Sequence, residues 1–212
     1  MLIKEKRKNR DKAVKREEEH NASIEALLER EDESRTIDEN DLISIQERES
    51  IRLLINYGVN EIEEDAKLYH YLLEELEDVT FTTPVYREIL NTFKEKLNEG
   101  EVINSQYLIQ HGSPEVKKVV ADLVSSRWEV SPNWSDKYKI FVPQEMDILE
   151  NVVLSNVLRL KFRVLQKLIT DNLDKLDKAK TGEEEDQFMK IHVELKKSEM
   201  ELAKSLGIVV TR

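Results

Sequence analysis

Four histidines are the side chains of this sequence best suited to binding a metal: His20, His70, His111 and His192. A zinc or iron site on a helix needs ligands three or four residues apart, so that they share one face. No histidine has another histidine at that spacing. We therefore expect structural roles for the histidines, no metal site, and no cofactor in this chain.

Adjacent carboxylates, such as Glu63-Glu64 and Glu74-Glu75, are the next candidates for chemistry, as general acids and bases. Catalytic carboxylates need burial or charged neighbours that separate their pKa values, whereas adjacent acids on a charged helix are normally solvated. The chain has no cysteine, so thiol nucleophiles, disulfides and cysteine zinc sites are excluded. Phosphate-binding glycine loops and a G-x-S-x-G serine motif are also missing. We expect no catalytic residue here.

Charge argues against nucleic acid as the main partner. The 212 residues include 33 Lys and Arg against 44 Asp and Glu, a net charge of −11, which is the wrong sign for neutralising phosphates. We therefore expect no direct nucleic-acid binding. Apolar runs fall far short of the roughly 20 residues that cross a bilayer, and the N-terminus does not resemble a secretory signal. These features predict a cytoplasmic protein that does not bind membranes.

Composition divides the chain into three parts. Residues 1–40 are highly charged and poor in apolar residues, which predicts a charged linker or frayed helix. Residues 41–143 are punctuated by glycine and proline into short periodic segments, which predicts a helical bundle with an aromatic connector. Residues 144–212 predict a long helix and a C-terminal helical hairpin. The predicted fold class is all-α.

Capping residues set the expected helix boundaries. Ser44 and Glu47 have capping-box spacing, which predicts that a helix opens at Ser44 and ends near Gly58. Asn60 is predicted to cap a second helix whose apolar residues continue to Leu76.

Three further helices are expected in the bundle. The hydroxyl of Thr83 is predicted to cap a third helix, because Pro84 suits the first helical position. Asn104 or Ser105 predicts the start of a short helix, and Ser113, which also precedes a proline, predicts another.

Aromatic residues are concentrated in the connector. Trp128, Trp134, Tyr138 and Phe141 lie in the irregular segment 126–143. Aromatic side chains in a loop usually pack onto the adjoining core, and we expect that here. A nucleic-acid stacking platform is the less favoured alternative, because the neighbouring charges are mixed.

The region after Pro143 contains neither glycine nor proline from Gln144 to Ala179. One apolar stripe runs through it, made of Leu158, Phe162, Leu165, Ile169, Leu173 and Leu176. A helix of this length would extend roughly 50 Å at 1.5 Å per residue, so part of it should project beyond the bundle.

A helical hairpin is predicted to follow this long helix. Thr181 and Glu184 have capping-box spacing, and Gly182 eases the turn. The return helix should place one row of apolar residues along the outgoing helix and end at Gly207: Phe188, Ile191, Leu195, Leu202 and Leu206.

The hairpin tip is strongly acidic from Glu183 to Asp186. The helix macrodipole favours such charge in a first turn, and an electrostatic docking surface is the alternative interpretation. A two-helix hairpin has little core behind it, so apolar residues near its tip indicate a protein partner.

Several segments together resemble one known family. They are ERESIRLLINYG at 47–58, TPVYREIL at 83–90, the helix after Ser113-Pro114, VSPNW at 130–134, VPQE at 142–145 and LAKSLG at 202–207. In combination they resemble the C-terminal helicase-interaction domain of bacterial DNA primases, in its Bacteroidetes form. The resemblance covers roughly residues 41–212.

The resemblance implies that the chain docks a primase onto the N-terminal domain of the hexameric replicative helicase. By position in the hairpin it makes seven residues candidates for helicase binding: Leu173, Leu176, Glu184, Gln187, Phe188, Ile191 and Leu195. Primer synthesis, with its zinc and magnesium, would belong to a parent DNA-directed RNA polymerase and not to this piece. The alternatives are the N-terminal domain of the helicase itself and an unrelated helical adaptor.

Overall fold

The computed structural model describes residues 39–63, 66–125, 131 and 133–208. The fold is all-α, as the periodicity predicts. Of the predicted linker 1–40, only Glu39 and Asn40 are among the described residues. In chain order the elements are α1 (Glu39–Tyr57), β1 (Glu61–Glu63), β2 (Ala66–Lys67), α2 (Leu68–Glu75), α3 (Pro84–Asn98), α4 (Ser105–His111), α5 (Pro114–Val124), α6 (Asn133–Asp136), a 3₁₀ turn (Glu145–Ile148), α7 (Leu149–Asp177) and α8 (Gly182–Leu206).

Helix α1 lies at the centre of the bundle. It packs against α2, α3, α5 and α7, and its Ile51 and Leu53 are completely buried. Leu72, Ile89 and Val120 from the surrounding helices complete the same apolar cluster. Each fully buried aliphatic side chain of this kind contributes about 1.5–3 kcal/mol to the stability of the fold. This cluster is therefore a main source of the stability of the bundle.

Glu47 acts on a different helix from the one predicted. Because α1 begins at Glu39, Glu47 and Ser44 lie inside the helix and the predicted capping box is wrong. The Glu47 carboxylate is completely buried and accepts hydrogen bonds from the backbone N–H groups of Thr82 and Thr83. It thereby caps α3. The predicted cap, the Thr83 hydroxyl, donates instead to Ser44 Oγ at 3.0 Å.

The helix predicted from Asn60 to Leu76 forms only in its second half. Its first half is an antiparallel hairpin of β1 and β2, and α2 begins at Leu68. The Asn60 carbonyl accepts a hydrogen bond from Leu68 N–H, and the Gly58 carbonyl accepts one from Tyr69 N–H, both at 2.9 Å. These tertiary hydrogen bonds replace the local helical ones, so Asn60 does not act as a cap.

The predicted N-caps of α4 and α5 are confirmed. Asn104 Oδ1 accepts a hydrogen bond from Tyr107 N–H at 3.1 Å, and Ser113 Oγ accepts one from Val116 N–H at 3.3 Å. Both partners lie three residues ahead, as N-cap geometry requires.

The prediction that the connector aromatics pack onto the bundle is wrong for those that the structure describes. Phe141 is 78% exposed, and Trp134 and Tyr138 are also exposed. Trp134 and Tyr138 are instead neighbours of each other, with ring centroids 6.1 Å apart, and the Trp134 carbonyl accepts a local hydrogen bond from Ile140 N–H. Trp128 lies outside the described residues.

A charged cluster fixes the start of the long helix to the bundle. The Arg52 guanidinium contacts Glu49 at 2.7 Å and also Glu145, and the Tyr57 hydroxyl donates to Glu145 at 2.6 Å. The hydrogen bond from Arg52 lowers the pKa of the Glu145 carboxyl, against the opposing effect of burial. The cluster therefore holds the 3₁₀ turn against the C-terminal end of α1.

The long helix is slightly shorter than predicted, because its first turn is the 3₁₀ turn and α7 itself runs over 29 residues. Its buried side changes along its length. Val153, Val157 and Leu160 join the bundle core, whereas Leu165 and Ile169 are buried outside that cluster, where α8 runs alongside. The second half of α7 therefore depends on α8 for its cover.

Candidate docking surface

Helix α8 is the outer helix of the α7–α8 hairpin. Among the described elements, only α7 makes extensive contact with it. Its ends are capped locally: Thr181 Oγ1 accepts from Glu184 N–H at 3.3 Å, and the Glu184 carboxylate accepts from Lys180 N–H at 3.0 Å. Gly207 closes the helix at φ +68°, a conformation that favours glycine. The ends of the helix are therefore fixed by residues local in sequence, and α7 positions the helix.

The seam between α7 and α8 is held by apolar packing and one fixed hydrogen bond. Phe188 and Leu195 are half-buried, and the Asn172 side-chain amide donates to the Phe188 carbonyl at 3.1 Å. Glu199 is buried and pairs with Lys196 at 2.8 Å. The Asn172–Phe188 contact defines which residues of the two antiparallel helices lie level with each other.

The hairpin has two solvent-facing sides, and helical geometry assigns residues to them. Leu173 and Met189 each follow one residue after the Asn172–Phe188 contact. Because the helices are antiparallel, a step of about 100° in each turns both side chains to the same side of the pair.

We call this side the Met200 face, made of Leu173, Met189, Val193 and Met200. All four side chains are exposed, Val193 by 58% and Met200 by 52%. On α8, steps of four and seven residues keep Met189, Val193 and Met200 within about 40° of one another. The face therefore presents four apolar side chains to solvent.

A basic row runs beside the Met200 face. Lys190, Lys197 and Lys204 follow at steps of seven residues, which keeps them within about 40° of one another on the side of α8 away from α7. All three are exposed, and none forms an ion pair with any residue that the structure describes. Exposed Asp186, Glu194 and Glu201 lie three or four residues from these lysines, so this side of α8 carries charges of both signs.

The opposite side, which we call the Ile191 face, carries Leu168 and Ile191. Both are exposed, Ile191 by 40%. Ile191 follows Phe188 by three residues and Leu168 precedes Asn172 by four, so each is turned the other way from the Met200 face. This side has fewer large apolar groups.

The seven residues predicted to bind a helicase do not form one surface. Leu173 lies on the Met200 face and Ile191 on the opposite one. Leu176, Phe188 and Leu195 are half-buried along the hairpin.

The remaining two of the seven are polar. Glu184 is exposed and contributes to the cap of α8, and Gln187 is exposed. Six of the seven residues are therefore divided among two faces, the seam and the cap, and Gln187 belongs to none of these groups.

Sequence reasoning missed Met189, Val193 and Met200, because it followed the row that starts at Phe188. The signal was present: a second apolar row at steps of four and seven residues lies beside the first, with lysines at Lys190, Lys197 and Lys204 on its far side. Two apolar rows on one helix indicate two packing partners.

Other kinds of site find no support among the described residues. No group of three or more His, Asp or Glu side chains there is placed to hold a metal ion. No described helix is both long and apolar enough to cross a membrane.

Comparison with known proteins gives one result. No curated protein and no solved structure matches the chain. One protein family matches residues 29–210, which is most of the sequence, and it is described as a domain of unknown function, DUF8430. The chain belongs to the DUF8430 family.

Proposed function

We propose that this chain is a protein-docking domain of the primase type, which binds the N-terminal domain of the hexameric replicative helicase through its α7–α8 hairpin. The observation that carries the proposal is the outer position of α8. Among the described elements α8 packs extensively against α7 alone, yet it displays large apolar side chains on two sides. Exposed apolar groups arranged in this way mark interaction sites in soluble proteins.

The segments that resemble primases support the same proposal through their places in the fold. ERESIRLLINY falls within α1, at the centre of the bundle, and TPVYREIL spans the cap and first turns of α3. LAKSLG ends α8 at its glycine cap. The resemblance thus lies in the elements that build the bundle and position the hairpin. In this proposal the chain docks a primase onto the helicase, and primer synthesis belongs to a parent polymerase.

The two alternative functions predict different behaviour in solution. A helicase N-terminal domain would form stable oligomers of its own. An unrelated adaptor would be folded but would not bind the helicase. Sedimentation velocity of the chain alone, followed by mixing with the helicase, separates these cases.

The direct test is calorimetric titration of the full chain with the replicative helicase of the same organism. We expect binding by the wild type, and weakening by about tenfold or more in a Leu173→Asp/Ile191→Asp variant, which places a charge on each face of the hairpin. Phe141→Asp is the matched control, because Phe141 is an exposed apolar residue outside the hairpin. It should bind like the wild type.

Two results would contradict the proposal. The first is no heat of binding at low salt for a wild-type chain that is folded by circular dichroism. The second is equal loss of binding in the hairpin variant and in Phe141→Asp. Because the hairpin is highly charged, we also expect the affinity to fall as salt increases from about 50 mM to about 500 mM.

A further inference from the structure

We infer that the Met200 face binds a second copy of this chain. The two copies pack α8 against α8, antiparallel, about a twofold axis at the level of Leu195. This dimer is additional to the docking of a helicase and does not depend on it, because it needs no partner other than the chain itself.

The apolar residues of α8 fit such a pair. Met189, Val193 and Met200 are exposed by 51%, 58% and 52%, and they lie within about 40° of one another around the helix. In an antiparallel pair centred on residue 195, Met189 lies within about 1.5 Å of the level of Met200 of the second copy. The two Val193 side chains lie about 3 Å on either side of the axis. Apolar side chains from both copies are thereby removed from water, and the unbranched methionines adapt to each other.

A stripe of charged residues runs along the side of α8 away from α7. The residues of this charged stripe alternate in sign at steps of three or four residues: Asp186, Lys190, Glu194, Lys197, Glu201 and Lys204. All six are exposed, and they lie within about 80° of one another around the helix. Charges at this spacing are suited to pairing along one helix, but none of the six side chains forms an ion pair or a hydrogen bond with any residue that the structure describes. With three acidic and three basic members, the charged stripe has no net charge.

The order of the signs in the charged stripe is complementary to an antiparallel copy of itself. About the same axis, residues of opposite sign lie level between the two copies to within one residue: Asp186 with Lys204, Lys190 with Glu201, and Glu194 with Lys197. Each pair occurs twice, because a twofold interface presents the same patch from both copies. A parallel arrangement would place each charge level with its own like charge. The charges and the apolar row are therefore satisfied by one arrangement, with one axis.

The charges also distinguish a second copy from other occupants. A strongly acidic or strongly basic partner would meet like charges at every second position of the charged stripe. The whole chain has a net charge of −11, which opposes association between copies in general, but the charged stripe contributes nothing to that excess. A second copy matches both the spacing of the signs and the position of the apolar row beside them.

Sedimentation equilibrium of the full chain at increasing concentration tests for the dimer. The contact is small, so we expect a dissociation constant on the order of 10–100 µM at low salt and weaker association as the salt concentration rises. Dilution to about 1 µM should therefore give monomers. This behaviour separates the dimer from the stable oligomers expected of a helicase N-terminal domain.

Matched variants locate the contact. Val193→Asp/Met200→Asp should raise the dissociation constant of the dimer by about tenfold or more, whereas Leu168→Asp/Ile191→Asp on the opposite face should change it less than about twofold. All four positions are exposed, so both variants should fold, which circular dichroism checks.

Lys190 and Glu201 test the order of the charges. They are 11 residues apart, about 16 Å along one helix, so they are not neighbours within one copy. Lys190→Glu and Glu201→Lys should each weaken the dimer by about threefold or more, because each change brings like charges together at two symmetry-related places. The double variant Lys190→Glu/Glu201→Lys restores opposite signs between copies, and its dissociation constant should return to within about twofold of the wild type. An effect on the stability of α8 alone would not produce this recovery.

Crosslinking tests the direction of packing. The chain has no cysteine, so a single introduced cysteine is the only reactive thiol. In the antiparallel pair the two copies of residue 193 are about 6 Å apart along the axis, and the two copies of residue 204 are about 27 Å apart. A short bismaleimide reagent should therefore join two copies of Val193→Cys and leave Lys204→Cys unjoined, whereas a parallel pair would be joined at both positions.

Four results would overturn the inference. They are a monomer throughout the concentration series, equal loss in the two aspartate variants, no recovery in Lys190→Glu/Glu201→Lys, and equal crosslinking at residues 193 and 204. Titration with the helicase is a separate measurement. A dimer that does not bind the helicase would contradict only the proposed function, and helicase binding by a chain that stays monomeric would contradict only the dimer.

Discussion

The buried carboxylate of Glu47 provides a quantitative test of how the bundle is held together. It accepts two backbone hydrogen bonds at the N-terminus of α3, from Thr82 and Thr83, and a third from the Thr82 hydroxyl at 3.0 Å. In Glu47→Ala the two N–H groups lose their acceptor and the completely buried position is left with a cavity. A donor left unsatisfied costs about 1–3 kcal/mol, and the cavity adds to this.

We therefore expect Glu47→Ala to reduce the free energy of unfolding by about 3–5 kcal/mol, a large part of the 5–15 kcal/mol typical of a domain. The assay is urea denaturation at neutral pH, followed by far-ultraviolet circular dichroism. Glu47→Gln keeps one acceptor oxygen but brings amide hydrogens toward N–H donors, so its loss should be intermediate.

Glu95→Ala provides the baseline for this experiment. Glu95 is an exposed acidic residue of α3, and its removal should change the free energy of unfolding by no more than about 0.5 kcal/mol. A loss below about 1 kcal/mol for Glu47→Ala, well short of what an unsatisfied buried donor costs, would refute the reasoning. It would show that water or a shifted backbone replaces the carboxylate.

Three further predictions concern other parts of the fold. Arg52 lowers the pKa of Glu145 in the folded state. The stabilisation that Glu145 gives to the folded state is therefore present above its unfolded pKa near 4.3, and it is lost as the pH falls through the folded-state pKa. Urea titrations across this pH range should show that the free energy of unfolding falls less with acidification in Glu145→Gln than in the wild type. An equal fall in the two proteins would contradict the assignment. Phe81→Ala should cost about 3–5 kcal/mol and Phe141→Ala less than about 0.5 kcal/mol, because Phe81 is buried and Phe141 is not. Similar losses in the same assay would place the connector against the core. Gly207→Ala should cost about 1–2 kcal/mol, because a side chain strains the positive φ; an unchanged melting temperature would mean that α8 ends differently.

The elements that sequence predicted well depend on neighbours in the chain. The caps formed by Asn104, Ser113 and Thr181 each join a side chain to an N–H group three residues ahead. Such contacts need no other part of the protein, so residue type and spacing are sufficient to predict them. The long helix and its turn were predictable for the same reason.

The predictions that failed concern residues whose partners are distant in sequence. Glu47 has the local spacing of a capping box, but its acceptor oxygens serve donors 35 and 36 residues away. The segment after Asn60 has helical periodicity, but its backbone groups pair with each other and with the end of α1. Local propensity is a small free energy, and tertiary hydrogen bonds and burial override it.

In the hairpin, some features are determined by the sequence and others by tertiary packing. Sequence alone determined that α8 has an apolar row, an acidic first turn and lysines at steps of seven residues, because the 3.6-residue period orders side chains around any helix. Only the packing of α7 decided that Ile191, predicted to lie along α7 with Phe188 and Leu195, is exposed, and that Val193 and Met200 remain in solvent. Helix α8 carries two apolar rows, and α7, its one extensive neighbour among the described elements, can bury only one of them.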